Sequence, residues 1–259
     1  MRSFDLSRTH DLPRLDCHAH IAPDVTTAQI SALGGAVIFA MTRTPAEAAA
    51  TDRRHDSTIV WGYGAHPGVI GSLDSITTHE VRAAATRHAI IGEIGLDRSS
   101  ALAPQLAALT AILDGCNQQP VLISLHSTGR TAGLVAALER RPHPGAILHW
   151  FNGTTAEIER ATELGCFFSV NAAMNDERLT QIPLDRMLPE TDFPSSRRST
   201  RAKLPGDIDY LESRVASLRG IAVTELRRTW FRNLSDILHR SGTDDRMPAG
   251  VRRLLATLP

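Results

Sequence analysis

Hydrophobic residues along this chain cluster in eight short blocks, each followed by a more polar segment. The blocks are nearly continuous apolar runs rather than alternating ones, which is typical of parallel strands buried on both faces. The blocks predict strands at Arg14–Ile21, Ala36–Thr42, Ile59–His66, Ala89–Leu96, Val121–His126, Ala146–Trp150, Cys166–Asn171 and Met187–Asp192.

The segments between the blocks have helical spacing. One predicted helix face carries apolar residues at i, i+4, i+7 and i+11, namely Leu102, Leu106, Leu109 and Leu113. Thr154 followed by Glu157 is a capping-box pattern, and Thr224 is in position to cap a last helix. Strands that alternate with helices favour a single (β/α)8 TIM barrel of the α/β class over residues 1–259, with a doubly wound open sheet as the alternative.

Length and charge fit that architecture and add one local feature. The chain has 259 residues, close to the ~250 of one barrel. Its 28 basic and 28 acidic residues give a formal net charge of +0, so no overall field favours nucleic acid. The segment 194–206 after the eighth block is nevertheless basic, with Arg197, Arg198, Arg201 and Lys203, and is predicted to be a long loop.

Two features predict a cytoplasmic protein that does not enter a membrane. Residues 1–10 lack a long apolar stretch, so we expect no signal peptide there, and the run 32–41 is about half of the ~20 residues that a membrane span needs. The cysteines, Cys17, Cys116 and Cys166, are odd in number, widely spaced and without a CxxC pair. That usage suits a reducing compartment better than a disulfide framework.

Polar residues with metal-binding chemistry occur in or directly after the apolar runs. His18 and His20 are two residues apart on a strand, so both side chains point to one face, although such a pair alone is more often incidental. Glu93 interrupts an apolar run, and a buried carboxylate needs a metal or an ion-pair partner such as arginine. The nearby Gly92 and Gly95 would let a metal site or substrate approach the backbone.

Three later runs end at His126, His149 and Asp192. Each histidine alone is best interpreted as a hydrogen-bonded residue at the edge of the core. Together, however, these residues mark the C-terminal ends of different strands, where (β/α)8 enzymes build their active sites. The set therefore predicts a two-metal site. The remaining histidines are interpreted as surface residues: His10, His55, His79, His88, His143 and His239.

These segments resemble the TatD family of the amidohydrolase superfamily, and they occur in the order of that family. The matching segments are Cys17–His20, Gly64–Pro67, Gly92–Asp97, Leu125–Ser127, Leu148–Gly153 and Glu190–Pro194. The resemblance extends from about Arg14 to Leu238. It implies a metal-dependent hydrolase on a TIM barrel.

The resemblance also implies a ligand set for two divalent ions, with Zn²⁺, Mg²⁺ and Mn²⁺ as candidates. His18, His20 and Asp192 would hold one ion, His126 and His149 the other, and Glu93 would bridge the two. Many related barrels use a carbamylated lysine as the bridge, but the only lysine here is Lys203, in a loop. Asp192 and Glu93 would be the catalytic residues, with Asp192 accepting the proton of the attacking water.

The resemblance implies that the substrate is DNA and that the enzyme acts as a 3′–5′ exonuclease. We expect single strands to be preferred, because a strand end enters a concave barrel mouth more easily than the middle of a stiff duplex. His66 would contact the phosphate, with a hydrogen bond behind a metal ligand as the alternative. The family pattern has an arginine directly after His-Ser, whereas here Arg130 comes two residues later, so Arg130, Arg197 or Arg198 would take its place.

Two other functions stay open at this stage. One is hydrolysis of an amide, a lactone or a small phosphoester at the same site, because the fold does not separate these reactions. The other is a metal-binding assembly subunit without catalysis. TatD-like proteins occur as housekeeping nucleases in DNA repair and degradation and in bacterial defence gene clusters, and the sequence favours neither setting.

Overall fold

Eight parallel strands form one sheet in which every strand pairs with the next in chain order. The computed structural model describes residues 12–195 and 197–258. The strands are β1 (Leu15–Ala19), β2 (Val37–Ala40), β3 (Ile59–Tyr63), β4 (Ile90–Gly95), β5 (Leu122–His126), β6 (Ala146–His149), β7 (Phe167–Val170) and β8 (Met187–Pro189). All eight predicted strands are confirmed, and nearly every strand residue is buried, as expected for strands covered on both faces.

The sheet closes through the segment that follows β8. The Asp192 N–H donates to the His18 carbonyl at 2.9 Å, and the His20 N–H donates to the Phe193 carbonyl at 2.6 Å. These bonds join the last strand to β1, so the prediction of a (β/α)8 barrel is confirmed and the open sheet is wrong. They also fix Asp192 beside the two histidines of the first strand.

Helices alternate with the strands and complete the barrel. They are α1 (Thr27–Ala32), α2 (Pro45–Thr51), α3 (Thr78–Arg87), α4 (Leu102–Cys116), α5 (Thr131–Arg140), α6 (Thr155–Glu163), α7 (Asp176–Gln181), α8 (Arg197–Thr200), α9 (Asp209–Arg219), α10 (Val223–Ser241) and α11 (Ala249–Leu255). Short 3₁₀ helices span Leu184–Arg186 and Asp244–Arg246. In the described part of the chain, no helix is long and apolar enough to cross a membrane.

The helix termini confirm one capping prediction and correct another. Thr154 and Glu157 form the predicted capping box of α6. Helix α10 begins one residue before Thr224, and Ala222 occupies its N-cap position without a side-chain hydrogen bond, so the Thr224 prediction was wrong. The apolar face of α10 still seals the barrel, since Trp230 is 0% exposed. Full burial of such a side chain stabilises the fold by a few kcal/mol.

Other expectations need correction or lie beyond the described residues. His88 and His143 are buried rather than on the surface, because polar groups satisfy them inside. His143 Nε2 donates to the Cys116 carbonyl at 3.2 Å, and Nδ1 accepts the Gly145 N–H at 3.1 Å. The predicted loop at 194–206 contains the short helix α8. The segment 1–10 lies outside the described residues. The expectations for His10 and for the lack of a signal peptide fall on that segment.

Candidate metal centre

The carboxylate of Glu93 lies at the centre of a histidine cluster at the C-terminal end of the barrel. Glu93 is in β4 and only 2% exposed. Its Oε2 lies 3.6 Å from His18 Nε2 and 3.3 Å from His20 Nε2. Asp192 Oδ1 lies 3.5 Å from His20 Nε2 and 4.0 Å from His18 Nε2, so one oxygen of Glu93 faces two histidines and a second carboxylate.

The other oxygen of Glu93 faces a different set of histidines. Oε1 lies 2.7 Å from His126 Nδ1, 3.6 Å from His149 Nε2 and 3.3 Å from His66 Nε2. The two carboxylate oxygens therefore point to two separate groups of donors. The structure brings all six sequence-predicted ligands into this cluster.

Local backbone structure aims these side chains at one point. The period of two along a strand puts His18 and His20 on the same side. Asp192 has φ +50°, in the left-handed region that non-glycine residues rarely occupy. Such a conformation costs about 1–3 kcal/mol and persists where the surroundings hold it. Here Asp16 holds the preceding Thr191, accepting from its N–H at 2.9 Å and its hydroxyl at 2.6 Å.

The glycines beside Glu93 serve strand packing. A Cβ at Gly92 would lie 2.7 Å from the Cβ of Ser124, and one at Gly95 would lie 2.1 Å from the His126 carbonyl. Both contacts are closer than atoms can approach, so β4 and β5 can lie at this separation only with glycine there. The expectation that these glycines admit a metal or substrate is replaced by a packing requirement, which indirectly sets the distance between Glu93 and His126.

The cluster has the properties of a cation site. His18 Nε2 is buried and has no hydrogen-bond partner among the described residues. Ligand atoms lie within 4.8 Å of one another in three groups of residues: His18, His20 and Asp192; His66, Glu93 and His126; His18, His149 and Glu190. An orphaned buried imidazole nitrogen is costly unless a cation uses its lone pair. Mixed imidazole and carboxylate donors suit Zn²⁺ and Mn²⁺, so the residues present fit divalent metals.

Hydrogen bonds on the far side of each ring indicate which nitrogen carries a lone pair toward the centre. His20 Nδ1 lies 3.1 Å from the Met41 carbonyl, which can only accept, so Nδ1 donates and Nε2 is left with the lone pair. His149 Nδ1 donates in the same way to Glu190 Oε2 at 2.8 Å. His126 Nε2 donates to Asp97 Oδ2 at 2.8 Å, so in the neutral ring the lone pair is on Nδ1, the atom 2.7 Å from Glu93 Oε1. His18 Nδ1 pairs with the Ser124 hydroxyl at 2.9 Å.

His66 is different from the other four. The Gly68 N–H donates to His66 Nδ1 at 2.9 Å, so the lone pair of the neutral ring is already used. The proton of the neutral ring is therefore on Nε2, the atom that faces Glu93. This geometry makes His66 a hydrogen-bond donor toward the centre, whereas the other histidines are potential ligands.

Charge pairing dominates the electrostatics of the metal-free cluster. Burial raises the pKa of Glu93, but the close His126 and the further contacts with His18 and His20 outweigh burial and hold that pKa well below its usual value. Burial lowers the pKa of His20, yet its contacts with Asp192 and Glu93 raise it to about 10. The metal-free site thus holds ionised carboxylates beside protonated imidazoles.

Two carboxylates behind the histidines, Asp97 and Glu190, were given no role from sequence. Burial raises the pKa of Asp97, while hydrogen bonds from Ser99 and then His126 bring it down to about 2. Glu190 is 1% exposed and accepts from Asn171 Nδ2 at 2.8 Å as well as from the Ser169 hydroxyl. The signal was the one that identified Glu93, since Glu190 also follows an apolar run where an unpaired carboxylate is costly.

The arginines predicted to bind substrate lie outside the cluster. Arg130 donates from Nε to the Asp97 carbonyl and from Nη2 to the Ser100 carbonyl, both at 2.9 Å, so it braces the loop after β4. Arg197 and Arg198 are exposed in α8, and the Arg197 guanidinium lies 5.8 Å from the centre of the Phe193 ring. Across residues 12–195 and 197–258, none of these three arginines pairs with a carboxylate of the cluster.

Comparisons with known proteins identify the family of this chain. A family model described as TatD related DNase matches residues 15–239. The 3′-5′ ssDNA/RNA exonuclease TatD of Klebsiella pneumoniae is 31% identical over 150 residues, which cover 50% of this chain and 57% of that protein. The protein of the same description from Citrobacter koseri is 28% identical over 179 residues, 61% of this chain and 69% of that protein. The matched region thus spans little more than half of the first relative.

Solved structures show the same fold. YJJV, a TatD homolog from Escherichia coli, superposes with a TM-score of 0.73 and 19% identity over 86% of this chain and 97% of that one. At this level of identity the likeness establishes the barrel alone.

Proposed function

This chain belongs to the TatD family of related DNases, and on that premise we propose that it is a hydrolase that uses two divalent metal ions to remove nucleotides from the 3′ end of single-stranded DNA. The observation that carries the proposal is that the two carboxylate oxygens of Glu93 face different groups of side chains. One carboxylate oxygen faces His18, His20 and Asp192, and the other faces His126 and His149. A carboxylate with a separate donor group at each oxygen is suited to bridge two cations.

A pair of bound divalent ions would lower the pKa of water and neutralise charge on the attacking and leaving oxygens of a phosphodiester. The protein supplies the groups around that chemistry. Asp192, 5% exposed and held at φ +50°, accepts the proton of the attacking water. His66 donates its Nε2–H to an oxygen of the phosphate. Hydrogen-bond donors fixed in advance around developing charge are the largest contribution in many hydrolases.

The position of the cluster supports action at a strand end. All its side chains lie at the C-terminal end of the barrel, where the loops after the strands form the active site of (β/α)8 enzymes. A free single-stranded end enters such a concave mouth more easily than the middle of a stiff duplex. The exposed Arg197 and Arg198 in the segment after β8 supply positive charge that binds the phosphates of the DNA strand.

The cysteines support a place in a reducing compartment such as the cytoplasm. Cys17, Cys116 and Cys166 are all unpaired and buried. Free thiols of this kind are typical of proteins that fold where disulfides do not form.

The test is digestion of end-labelled oligonucleotides with Mg²⁺, Mn²⁺ or Zn²⁺. With a 5′ label on single-stranded DNA we expect a ladder that shortens with time, and with a 3′ label we expect early release of labelled mononucleotide. Phosphorothioate linkages at the 3′ end should stop both, duplex DNA should react more slowly, and single-stranded RNA tests the choice of sugar. The Glu93→Gln variant is the inactive control. Turnover of amides, lactones or small phosphoesters with DNA untouched under every cation would overturn the proposal.

A further inference from the structure

The two groups of histidines around Glu93 differ in the hydrogen-bond partners of the ring nitrogens that point away from Glu93. We define the first site by His18, His20, Asp192 and Glu93 Oε2, and the second site by His126, His149 and Glu93 Oε1. In the first site the far-side partners are uncharged. His18 Nδ1 contacts the Ser124 hydroxyl at 2.9 Å, and His20 Nδ1 contacts the Met41 carbonyl at 3.1 Å.

In the second site both far-side partners are carboxylates. Asp97 Oδ2 accepts from His126 Nε2 at 2.8 Å, and Glu190 Oε2 accepts from His149 Nδ1 at 2.8 Å. Both carboxylates are buried, Asp97 at 8% exposure and Glu190 at 1%. The histidines of the second site therefore each donate to a buried carboxylate, whereas those of the first site do not.

Apart from the histidines, the side-chain and backbone donors to these two carboxylates within residues 12–195 and 197–258 are uncharged. Asp97 also accepts the Ser99 N–H at 2.7 Å, and Glu190 also accepts from Asn171 Nδ2 and the Ser169 hydroxyl. These partners are uncharged donors that fix each carboxylate in place. Among the described residues, the ion-pair partner of Asp97 is His126 and that of Glu190 is His149. Each carboxylate accepts a hydrogen bond from one imidazole, and both of these imidazoles belong to the second site. Glu190 also lies within 4.8 Å of a ring nitrogen of His18, without a hydrogen bond to it among the described residues.

The two sites also differ in their proposed carboxylate ligands. The first site has its own carboxylate, Asp192, besides its share of Glu93, whereas the second site has only its share of Glu93. A carboxylate behind a ligating histidine fixes the tautomer and orientation of the ring and raises its basicity. Two such carboxylates compensate the second site for the carboxylate ligand that it lacks.

On the two-metal centre of the proposed function, we propose that Asp97 and Glu190 are positioning residues whose hydrogen bonds with His126 and His149 set the affinity of the second site. The structure thus contains two cation sites under separate control. Removing either charge should release one ion and leave the other. The affinity of the second ion should fall by about 10–100-fold, the usual effect of removing a partner behind a metal ligand.

The experiment is a Mn²⁺ titration of the metal-free full chain, followed by electron paramagnetic resonance, which separates an isolated ion from a carboxylate-bridged pair. The variants are Asp97→Asn and Glu190→Gln, with Ser124→Ala as the matched change behind a first-site histidine. We expect the coupled signal of the wild type to give way to that of an isolated ion in the first two variants. A tenfold to hundredfold higher Mn²⁺ concentration should restore the pair, which a misfolded site would not do.

Two backgrounds identify which site responds. In His20→Gln, where only the second site is intact, Asp97→Asn should weaken the remaining ion by about 10–100-fold. In His126→Gln, where only the first site is intact, the same change should have no effect. Equal weakening in both backgrounds, or none in either, would overturn the inference; if Asp97→Asn does not fold, Glu190→Gln carries the same comparison. A wild-type chain that binds no Mn²⁺ would overturn the proposed function and the inference with it.

Discussion

The imidazole rings of His18 and His149 are stacked, with centroids 3.6 Å apart and planes inclined by 11°. Two protonated rings at this distance would repel each other strongly. Burial lowers the pKa of His18, and the neighbouring His149 lowers it further. Burial also opposes the charge on His149, but the Glu190 carboxylate raises its pKa to about 9. Without metal, the stacked pair therefore carries one positive charge at pH 7, on His149.

This charge state predicts that metal binding releases protons. With pKa values raised to about 10 for His20 and about 9 for His149, both rings are protonated at pH 7 in the metal-free protein. A ring must be neutral to bind a cation, so loading both sites should release at least the two protons of His20 and His149 at pH 7, with a further contribution from His126, whose pKa its contact with Glu93 also raises against the effect of burial. Since a raised pKa keeps the proton on below that value, cation affinity should rise with pH from 7 to 9 and level off above about 10.

Calorimetric titration in two buffers of different ionisation enthalpy measures the released protons directly. The slope of affinity against pH should approach tenfold per pH unit for each proton displaced. A binding enthalpy that is the same in both buffers at pH 7 would contradict the assignment of protons to His20 and His149.

Glu93→Gln separates a bridging ligand from a structural ion-pair partner. If Glu93 bridges two cations, the variant should lose at least one ion and more than the roughly 10–100-fold in activity that partners behind a ligand contribute. The metal-free variant should still fold, although it loses the charge pairing of Glu93 with His20 and His126. Elemental analysis beside thermal melting measures both.

The matched control for Glu93→Gln is Glu212→Gln. Glu212 is 1% exposed and forms a two-point ion pair with Arg227, far along the chain from every ligand. Breaking that buried pair should cost about 3–5 kcal/mol of stability while the metal content is unchanged. A Glu93→Gln protein that keeps both ions and full activity would show that Glu93 does not bridge.

His66 should affect the reaction and leave the metals in place. Because the Gly68 N–H occupies Nδ1, the neutral ring offers an N–H to the centre rather than a lone pair. His66→Ala should therefore retain both ions and lose roughly 10²–10³-fold in kcat/KM, as when a donor to developing charge is removed. Loss of an ion from His66→Ala would instead make it a ligand in the group with Glu93 and His126.

Gly68→Ala tests the position of the His66 ring without replacing His66. A Cβ at Gly68 would lie 3.0 Å from His66 Cε1 and 3.2 Å from Nδ1, so the ring must shift. We expect a smaller loss of kcat/KM than in His66→Ala and an unchanged metal content. Activity equal to the wild type in Gly68→Ala would argue that the position of His66 is not critical.

One physical reason explains why the sequence predicts both the barrel and the clustering of the candidate ligand side chains. Each strand is a continuous apolar run, so the few polar side chains at the strand ends are conspicuous. Since parallel strands share a C-terminal end, residues as distant in sequence as His18 and Asp192 had to meet. The same reasoning extends to Glu190, a carboxylate after an apolar run, although its partner His149 is evident only in the structure.

Contacts with the backbone leave no trace in the sequence. Arg130 was expected to bind substrate, but its partners are the carbonyls of Asp97 and Ser100, and every residue has a carbonyl. The tautomer of His66 depends likewise on the N–H of Gly68. Such details depend on loop conformation, which periodicity and composition do not specify.

The exposed pair Arg197 and Arg198 in α8 permits a matched test of how the substrate is held. The pair follows Phe193 and the proposed ligand Asp192, at the end of the barrel that holds the histidine cluster. Its counterpart is Arg252 and Arg253 in α11, also exposed and adjacent. That helix follows Arg246, which donates to the Pro120 carbonyl directly before β5, so it belongs to the opposite, N-terminal end.

Replacing either pair with glutamine changes the net charge by the same amount, so any difference reports position. If Arg197 and Arg198 each contact a phosphate, their replacement should lower the slope of log Kd for single-stranded DNA against log salt concentration by about 1.4, which is about 0.7 per contact. The Arg252→Gln/Arg253→Gln protein should keep the wild-type slope. Fluorescence anisotropy with a Glu93→Gln background, which prevents cleavage, measures the slope across a salt series. Equal slopes in both double variants would mean that α8 is simply a solvated basic surface and that the strand follows another path to the cluster.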